Sequence, residues 1–182
     1  MFIYLIRHGE TDWNREDRLQ GHSDIPLNNT GKAQARQIAE RLKEVGVCQI
    51  YSSDLSRARE TAAIISTCLG INQASCSELL RERYFGYGEG KTWGEIQKDL
   101  PGCTQIDQLP DAEKLSDVQT RAFTMLLRIH QAHLGQSVVA VTHGAWIEAV
   151  MKAIDPSTQK VIGNGECLLF TRQHDKWEWK EL

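Results

Sequence analysis

Five apolar residues in a row, Phe2-Ile3-Tyr4-Leu5-Ile6, run straight into Arg7-His8-Gly9-Glu10-Thr11. A short continuous apolar run reads as a β-strand covered on both faces, the environment of a parallel sheet. A charged cluster at its carboxyl end has no place in an apolar core. It belongs where open parallel sheets bind ligands, beyond the carboxyl ends of their strands.

The same pattern recurs. Val47 to Tyr51 reads as a second strand and ends in Ser52-Ser53-Asp54, with Arg57 one turn into the next helix. Val138 to Val141 reads as another and ends in Thr142-His143-Gly144. Between them lie helical patterns. Ala35, Ile38, Leu42 and Val45 mark an amphipathic helix over 32–45, closed by Gly46. Leu55, Ala58, Ala62, Ile65 and Leu69 mark a second, which Ser52-Ser53-Asp54 should cap and Gly70 should end. Val118, Ala122, Met125, Ile129 and Ala132 mark a third, with Ser116 and Gln119 placed for a capping box and Gly135 at its end. A fourth should run from Gly144 to about Asp155-Pro156, and a short one near Thr92–Leu100. The tail from Glu166 to Lys180 reads as a hairpin turning at Gln173–Lys176. Alternating strands and helices imply a three-layer α/β/α sandwich around a mostly parallel central sheet. The length, 182 residues, suits one domain, 1–182, with an irregular insert at about 80–115.

The net charge of -3 argues against a nucleic-acid partner, which calls for a basic stripe. No apolar run is long enough to cross a bilayer, and the opening run is too short for a signal peptide. Five cysteines, Cys48, Cys68, Cys76, Cys103 and Cys167, make an odd set without a C-x-x-C pair. They read as reduced, buried thiols of a cytoplasmic protein.

The three strand ends bring together two imidazoles, His8 and His143, and two guanidiniums, Arg7 and Arg57. Guanidinium binds phosphate oxygens bidentately and stays charged. A neutral imidazole is a competent nucleophile near pH 7, and neighbouring arginines hold it neutral. A helix N-terminus beside Arg57 adds backbone donors for an anion. Gly9 and Gly144, each following a His, let the backbone come close to a phosphoryl group.

The segment Leu5-Ile6-Arg7-His8-Gly9-Glu10-Thr11 resembles the signature of the histidine phosphatase superfamily, which includes the cofactor-dependent phosphoglycerate mutases. The resemblance continues in order through Asp12-Trp13-Asn14, Arg18 to Leu27, Thr30-Gly31, Ser52 to Ala58 with Thr61-Ala62, Leu80-Arg81-Glu82 with Phe85-Gly86, and Val141 to Gly144. It implies a phosphoglycerate mutase-like fold and a phosphohistidine on His8. It implies that Arg7, Arg57 and His143 clamp the phosphate and that Asn14 adds a hydrogen bond. It further implies that Gln20, Gly21 and Gly144 lie against the substrate, and that Glu82 is the general acid and base. It implies neither metal nor organic cofactor, a small phosphate ester as partner, and no membrane or nucleic acid. A homodimer is left open. Glu82 before Phe85-Gly86, with Ala145 rather than Asp after His143-Gly144, is the pattern of branch 1.

Mutases of this family resemble one another in a longer central insertion, whereas Arg81 to Leu100 is short here. Phe85-Gly86-Tyr87-Gly88-Glu89-Gly90 resembles the phosphatase members. The resemblance therefore favours hydrolysis of a phosphate monoester, with phosphoglycerate mutation as the alternative. Gly88, where many relatives have Trp, and Asp111-Ala112-Glu113-Lys114, where many have G-G-E-S, depart from the pattern. They fall where the non-phosphate end of a substrate is expected, while Glu113 and Arg121 keep their places. Glu89 is the substitute candidate for the acid, and His22 a candidate substrate contact. Trp13 and Trp93 read either as loop packing or as pocket wall. His130 and His133 share a helix without an evident third metal ligand.

Overall fold

The computed structural model describes residues 1–72 and 74–182. Strand β1 (Phe2–Arg7) is followed by the short α1 (Asp12–Arg15), α2 (Asn29–Leu42), β2 (Val47–Ser52), α3 (Ser56–Leu69) and β3 (Ser75–Cys76). Then come α4 (Trp93–Asp99), α5 (Leu115–Ala132), β4 (Ser137–Thr142), α6 (Gly144–Ile154), β5 (Cys167–Gln173) and β6 (Lys176–Glu181). The strands form one sheet in the order β3-β2-β4-β1-β5-β6. All neighbours from β3 to β1 are parallel, and β5 runs antiparallel to both β1 and β6.

Period-two alternation along the strands divides the interior. Ile3, Leu5, Val138, Ala140, Leu168 and Phe170 face α5 and α6. Tyr4, Ile6, Ile50, Val139, Val141 and Leu169 face α2 and α3. Each central strand therefore reads as unbroken apolar sequence, because both of its faces are covered. The segment before α5 packs a small core of its own from Phe85, Ile96, Cys103 and Leu109. No described helix is long and apolar enough to cross a membrane.

Five local expectations need correction. Helix α2 starts at Asn29, where the Asn28 side chain accepts the Gly31 N–H at 2.9 Å, and a 3₁₀ turn over Lys43–Val45 leads to Gly46. Helix α3 is not capped by Ser52-Ser53-Asp54. Its N-cap is Leu55, and a distant carboxylate, Asp24, accepts the Ser56 N–H at 2.6 Å and the Ser56 hydroxyl at 2.8 Å. Helix α5 begins one residue before Ser116, so Ser116 lies inside the helix and caps nothing, while Gln119 donates to the Ala149 carbonyl. Ala132, counted on its apolar face, is exposed at the helix end. Of the cysteines, only Cys103 and Cys167 are buried; Cys48, Cys68 and Cys76 are exposed free thiols.

Candidate active site

Register places the three strand ends side by side. Arg7 pairs with Thr142 across β1 and β4, so His8 and His143 leave the sheet as neighbours. Their ring centroids lie 5.1 Å apart. Ser52 pairs with Val141, and the loop beyond it feeds Arg57, at the second position of α3, toward the same point.

His8 is buried, and its Nδ1 lies 2.7 Å from the Gly9 carbonyl oxygen. A carbonyl can only accept, so Nδ1 carries the proton and Nε2 has its lone pair free. Arg57 Nε donates to that Nε2 at 3.2 Å. Burial first, then the Arg57 and Arg7 charges, hold the His8 pKa well below the usual histidine range. The imidazole is neutral at pH 7.

Arg57 is fully buried. Its Nη1 donates to the Ser23 carbonyl at 2.8 Å and its Nη2 to the Gly21 carbonyl at 2.7 Å. Burial pulls its pKa down to about 10, which leaves it charged at neutral pH. Arg7 is held by the Ile162 carbonyl, and its guanidinium packs over Gly144. Four buried polar atoms converge here without a protein partner among the described residues: Nε of Arg7, Oε1 of Gln20 and the two ring nitrogens of His143. Buried polar groups are almost always bonded, so such a cluster marks a ligand position. His143 is also held well below the usual histidine range, by burial and by Arg57.

Arg7, His8, Gln20, Arg57 and Glu82 line a cavity of about 180 Å³ together with Gly144, whereas His143 is not part of its wall. The Glu82 carboxylate is fixed by three backbone N–H groups, from Arg83 at 2.9 Å, Trp146 at 3.0 Å and Ala145 at 3.3 Å. Two of these belong to the first turn of α6. The backbone behind Glu82 is braced by Arg121, which donates to the Arg81 and Glu82 carbonyls and pairs with Glu113 at 2.7 Å. His22 approaches the Glu82 carbonyl at 2.9 Å and lies outside the cavity wall. Glu89 is committed elsewhere: it accepts from His22 N at 2.7 Å, from Ser23 N and Oγ, and from Phe85 N. It ties the 20–23 loop to the insert.

Asn14 also lines the cavity. Its Oδ1 takes three donors at 3.1 Å, from Thr11 N, Thr11 Oγ1 and Asn164 Nδ2, leaving its NH₂ for the cavity. Gly21 stands one layer back, positioning Arg57 through its carbonyl. The close neighbour that requires Gly9 is the Gly31 backbone, since a Cβ would meet the Gly31 carbonyl oxygen at 2.4 Å. Sequence reasoning missed Asn164, whose Nδ2 also bonds the His8 carbonyl at 3.1 Å. The Asn164-Gly165 pair reads from sequence only as a turn. Glu148 in the same cavity was missed as well. The cavity adjoins an outer groove of about 670 Å³ walled by Arg18, Leu19, Trp93 and Asn164. Trp93 is thus pocket wall, whereas Trp13 packs against Gly90. His133 is engaged by Tyr51 Oη at 2.9 Å and His130 by Trp177, so the two serve different neighbours.

A model of the histidine phosphatase superfamily (branch 1) matches residues 3–182. The chain belongs to that superfamily. Among histidine phosphatase relatives it is 40% identical over 168 residues to phosphoglycerate mutase-like protein 4 of Arabidopsis thaliana, covering 87% of this chain and 73% of that one. It is 35% identical over 183 residues to the uncharacterized phosphatase PhoE of Bacillus subtilis, covering 98% and 92%. A solved mycobacterial glucosyl-3-phosphoglycerate phosphatase in complex with VO3 superposes with a TM-score of 0.89 at 27% identity, over 99% of this chain and 97% of that one. Within this histidine phosphatase fold, the sequence departures fall away from the site. Gly88 is buried where a Cβ would meet Leu109 at 2.8 Å, and Lys114 stands at the N-cap position of α5 without a side-chain cap bond. Neither lines the cavity or the outer groove. The chain is an enzyme of a superfamily of phosphatases and mutases.

Proposed function

We propose that the chain, read as one domain with a cap at about 80–115, hydrolyses a small phosphate monoester through a phosphohistidine on His8. The observation that carries this reading is the His8 tautomer. Its proton is held on Nδ1 by the Gly9 carbonyl, so Nε2 faces Arg57 and the cavity as a neutral nucleophile. Nε2 attacks phosphorus, the ester P–O bond breaks, and Glu82 protonates the departing alcohol. Water then attacks the phosphohistidine, giving its proton to Glu82 as the P–N bond breaks. Arg7, Arg57, His143 and Asn14 hold the phosphoryl oxygens, with Gln20 and Gly144 in the wall. Three exposed free thiols support a reducing, cytoplasmic setting.

The test is a trapping experiment. Protein mixed with a ³²P-labelled monoester and quenched in alkali should carry acid-labile label, and His8→Ala should carry none. That variant should lose roughly a thousandfold or more in turnover. Label or turnover surviving in His8→Ala counts against the reading. The Arabidopsis relative's name favours a second reading, phosphoglycerate mutation. Rapid conversion of 3-phosphoglycerate to its 2-isomer, primed with the bisphosphate, would establish that reading, and free phosphate would establish hydrolysis.

A further inference from the structure

The inner cavity contains two carboxylates, and only one is accounted for. Glu82 is fixed by three N–H groups. Glu148 sits on α6 one turn beyond Gly144 and Ala145, and it forms no ion pair among the described residues. The other acidic groups nearby are engaged: Asp54 with Arg81, Glu113 with Arg121, Asp107 with Arg83, and Asp24 with the start of α3.

Glu148 also occupies a particular place. It lines the inner cavity together with His8 and Arg57, and with Ala145 it lines an adjoining hollow of about 260 Å³ that reaches Arg83 and Lys152. It therefore stands where the cavity continues away from the phosphoryl position. The arginines Arg7 and Arg57 serve the phosphoryl end; the carboxylate faces whatever is attached to it. Burial and the Glu82 charge hold the Glu148 carboxyl above its usual range, against the Lys152 charge, the Ile162 amide and Arg7. A carboxylate placed so gains from a cationic or hydrogen-bond-donating neighbour.

We propose that Glu148 is a specificity residue that selects phosphate monoesters of amino alcohols and rejects those of hydroxy acids. This rests on the phosphatase reading above. A protonated amine three or four bonds from the ester oxygen gives the Glu148 carboxylate the ion-pair partner it lacks among the described residues. A carboxylate at the same place meets like charge in a partly desolvated pocket, where repulsion is much stronger than in water. The reading bears on the mutase alternative too, since a phosphoglycerate carries the disfavoured group.

The experiment compares kcat/KM for phosphoethanolamine and phosphoglycolate, which are alike in size and carry groups of opposite charge at the end remote from the phosphate. The assay is run near pH 8 with p-nitrophenyl phosphate alongside. In the wild-type protein the amine-to-acid ratio should be roughly thirtyfold or more. It should collapse to within about threefold of unity in Glu148→Gln and fall below unity in Glu148→Lys. A ratio within one protein is insensitive to how much of it is folded. A wild-type ratio at or below unity, or a ratio unmoved in both variants, overturns the assignment of Glu148. Failure of the wild-type protein to release p-nitrophenol overturns the phosphatase reading itself, and the two failures are therefore distinct.

Discussion

His8 shows how a side chain's protonation state is set by its nearest atoms. One backbone carbonyl, that of Gly9, sets the tautomer, and one guanidinium, Arg57, meets the other nitrogen. Under the proposed phosphohistidine, Arg57 Nε would lose that acceptor and gain a phosphoryl oxygen, changing from lone-pair partner to charge clamp. Glu82 is held with equal care by the α6 N-terminus and by Arg121 behind it. If it is the acid, its loss should matter in proportion to how badly the leaving group needs a proton. Glu82→Gln should reduce kcat/KM for an alkyl phosphate on the order of a hundredfold or more, and for p-nitrophenyl phosphate far less. Equal losses for both substrates, measured by phosphate release, would make Glu82 a structural residue. At this scale the sequence was informative wherever a polar side chain interrupts an apolar run, as at His8 and His143. It said little about Asn164 or Glu148, which sit in ordinary turn and helix contexts and acquire meaning only from what they face.

Elements in this fold are joined by contacts distant in the chain. The first N–H of α3 is capped by Asp24, thirty-two positions earlier, and the same loop supplies the Gly21 and Ser23 carbonyls to Arg57. Helix start and guanidinium orientation are thereby coupled. Asp24→Ala should cost about 1 kcal/mol of stability, as lost caps do. It should also weaken phosphate binding, read from a urea midpoint and from a competitive inhibition constant. An unchanged midpoint would show that water replaces the cap. The start of α2 is pressed against the β1–α1 loop, where a Cβ on Gly31 would lie 2.2 Å from the Glu10 carbonyl oxygen. Backbone cannot yield as a flexible side chain can, so Gly31→Ala should destabilise by roughly 1–3 kcal/mol and displace His8. A variant as stable and as active as the parent would refute that coupling. Helix periodicity and the Gly46 and Gly70 ends were legible in sequence, because spacing and left-handed termini are local. The caps of α3 and α5 were misread, because a nearby Ser or Asp satisfies a sequence rule whether or not the fold uses it.

For the whole molecule, burying two imidazoles beside two guanidiniums has a thermodynamic consequence. Unfolded, His8 and His143 take up protons below about pH 6.5. Folded, burial and the arginines hold both pKa values well below that. Between those limits the unfolded chain binds more protons, so stability is full above pH 6.5 and is lost as pH falls. Two such groups can remove up to roughly 2.7 kcal/mol per pH unit. Carboxylates held low by arginine, Asp54 and Glu113, add their loss further down. Melting temperature should therefore fall steadily from about pH 7 to pH 5; a flat or rising profile over that range would contradict neutral buried imidazoles.

Sequence by itself determined every strand but the two-residue β3, most helices, the α/β layering and the residues at three strand ends, since each follows from periodicity and polarity within a short window. The tertiary structure decided the rest. Only the sheet order, with β1 and β4 adjacent in register, brings His8 against His143. It also decided which carboxylate reaches the inner cavity and which is tied down outside it, Glu82 rather than Glu89, Glu148 rather than Asp107. A side chain's partners lie across space, and the linear chain specifies them only through the packing of all its elements at once.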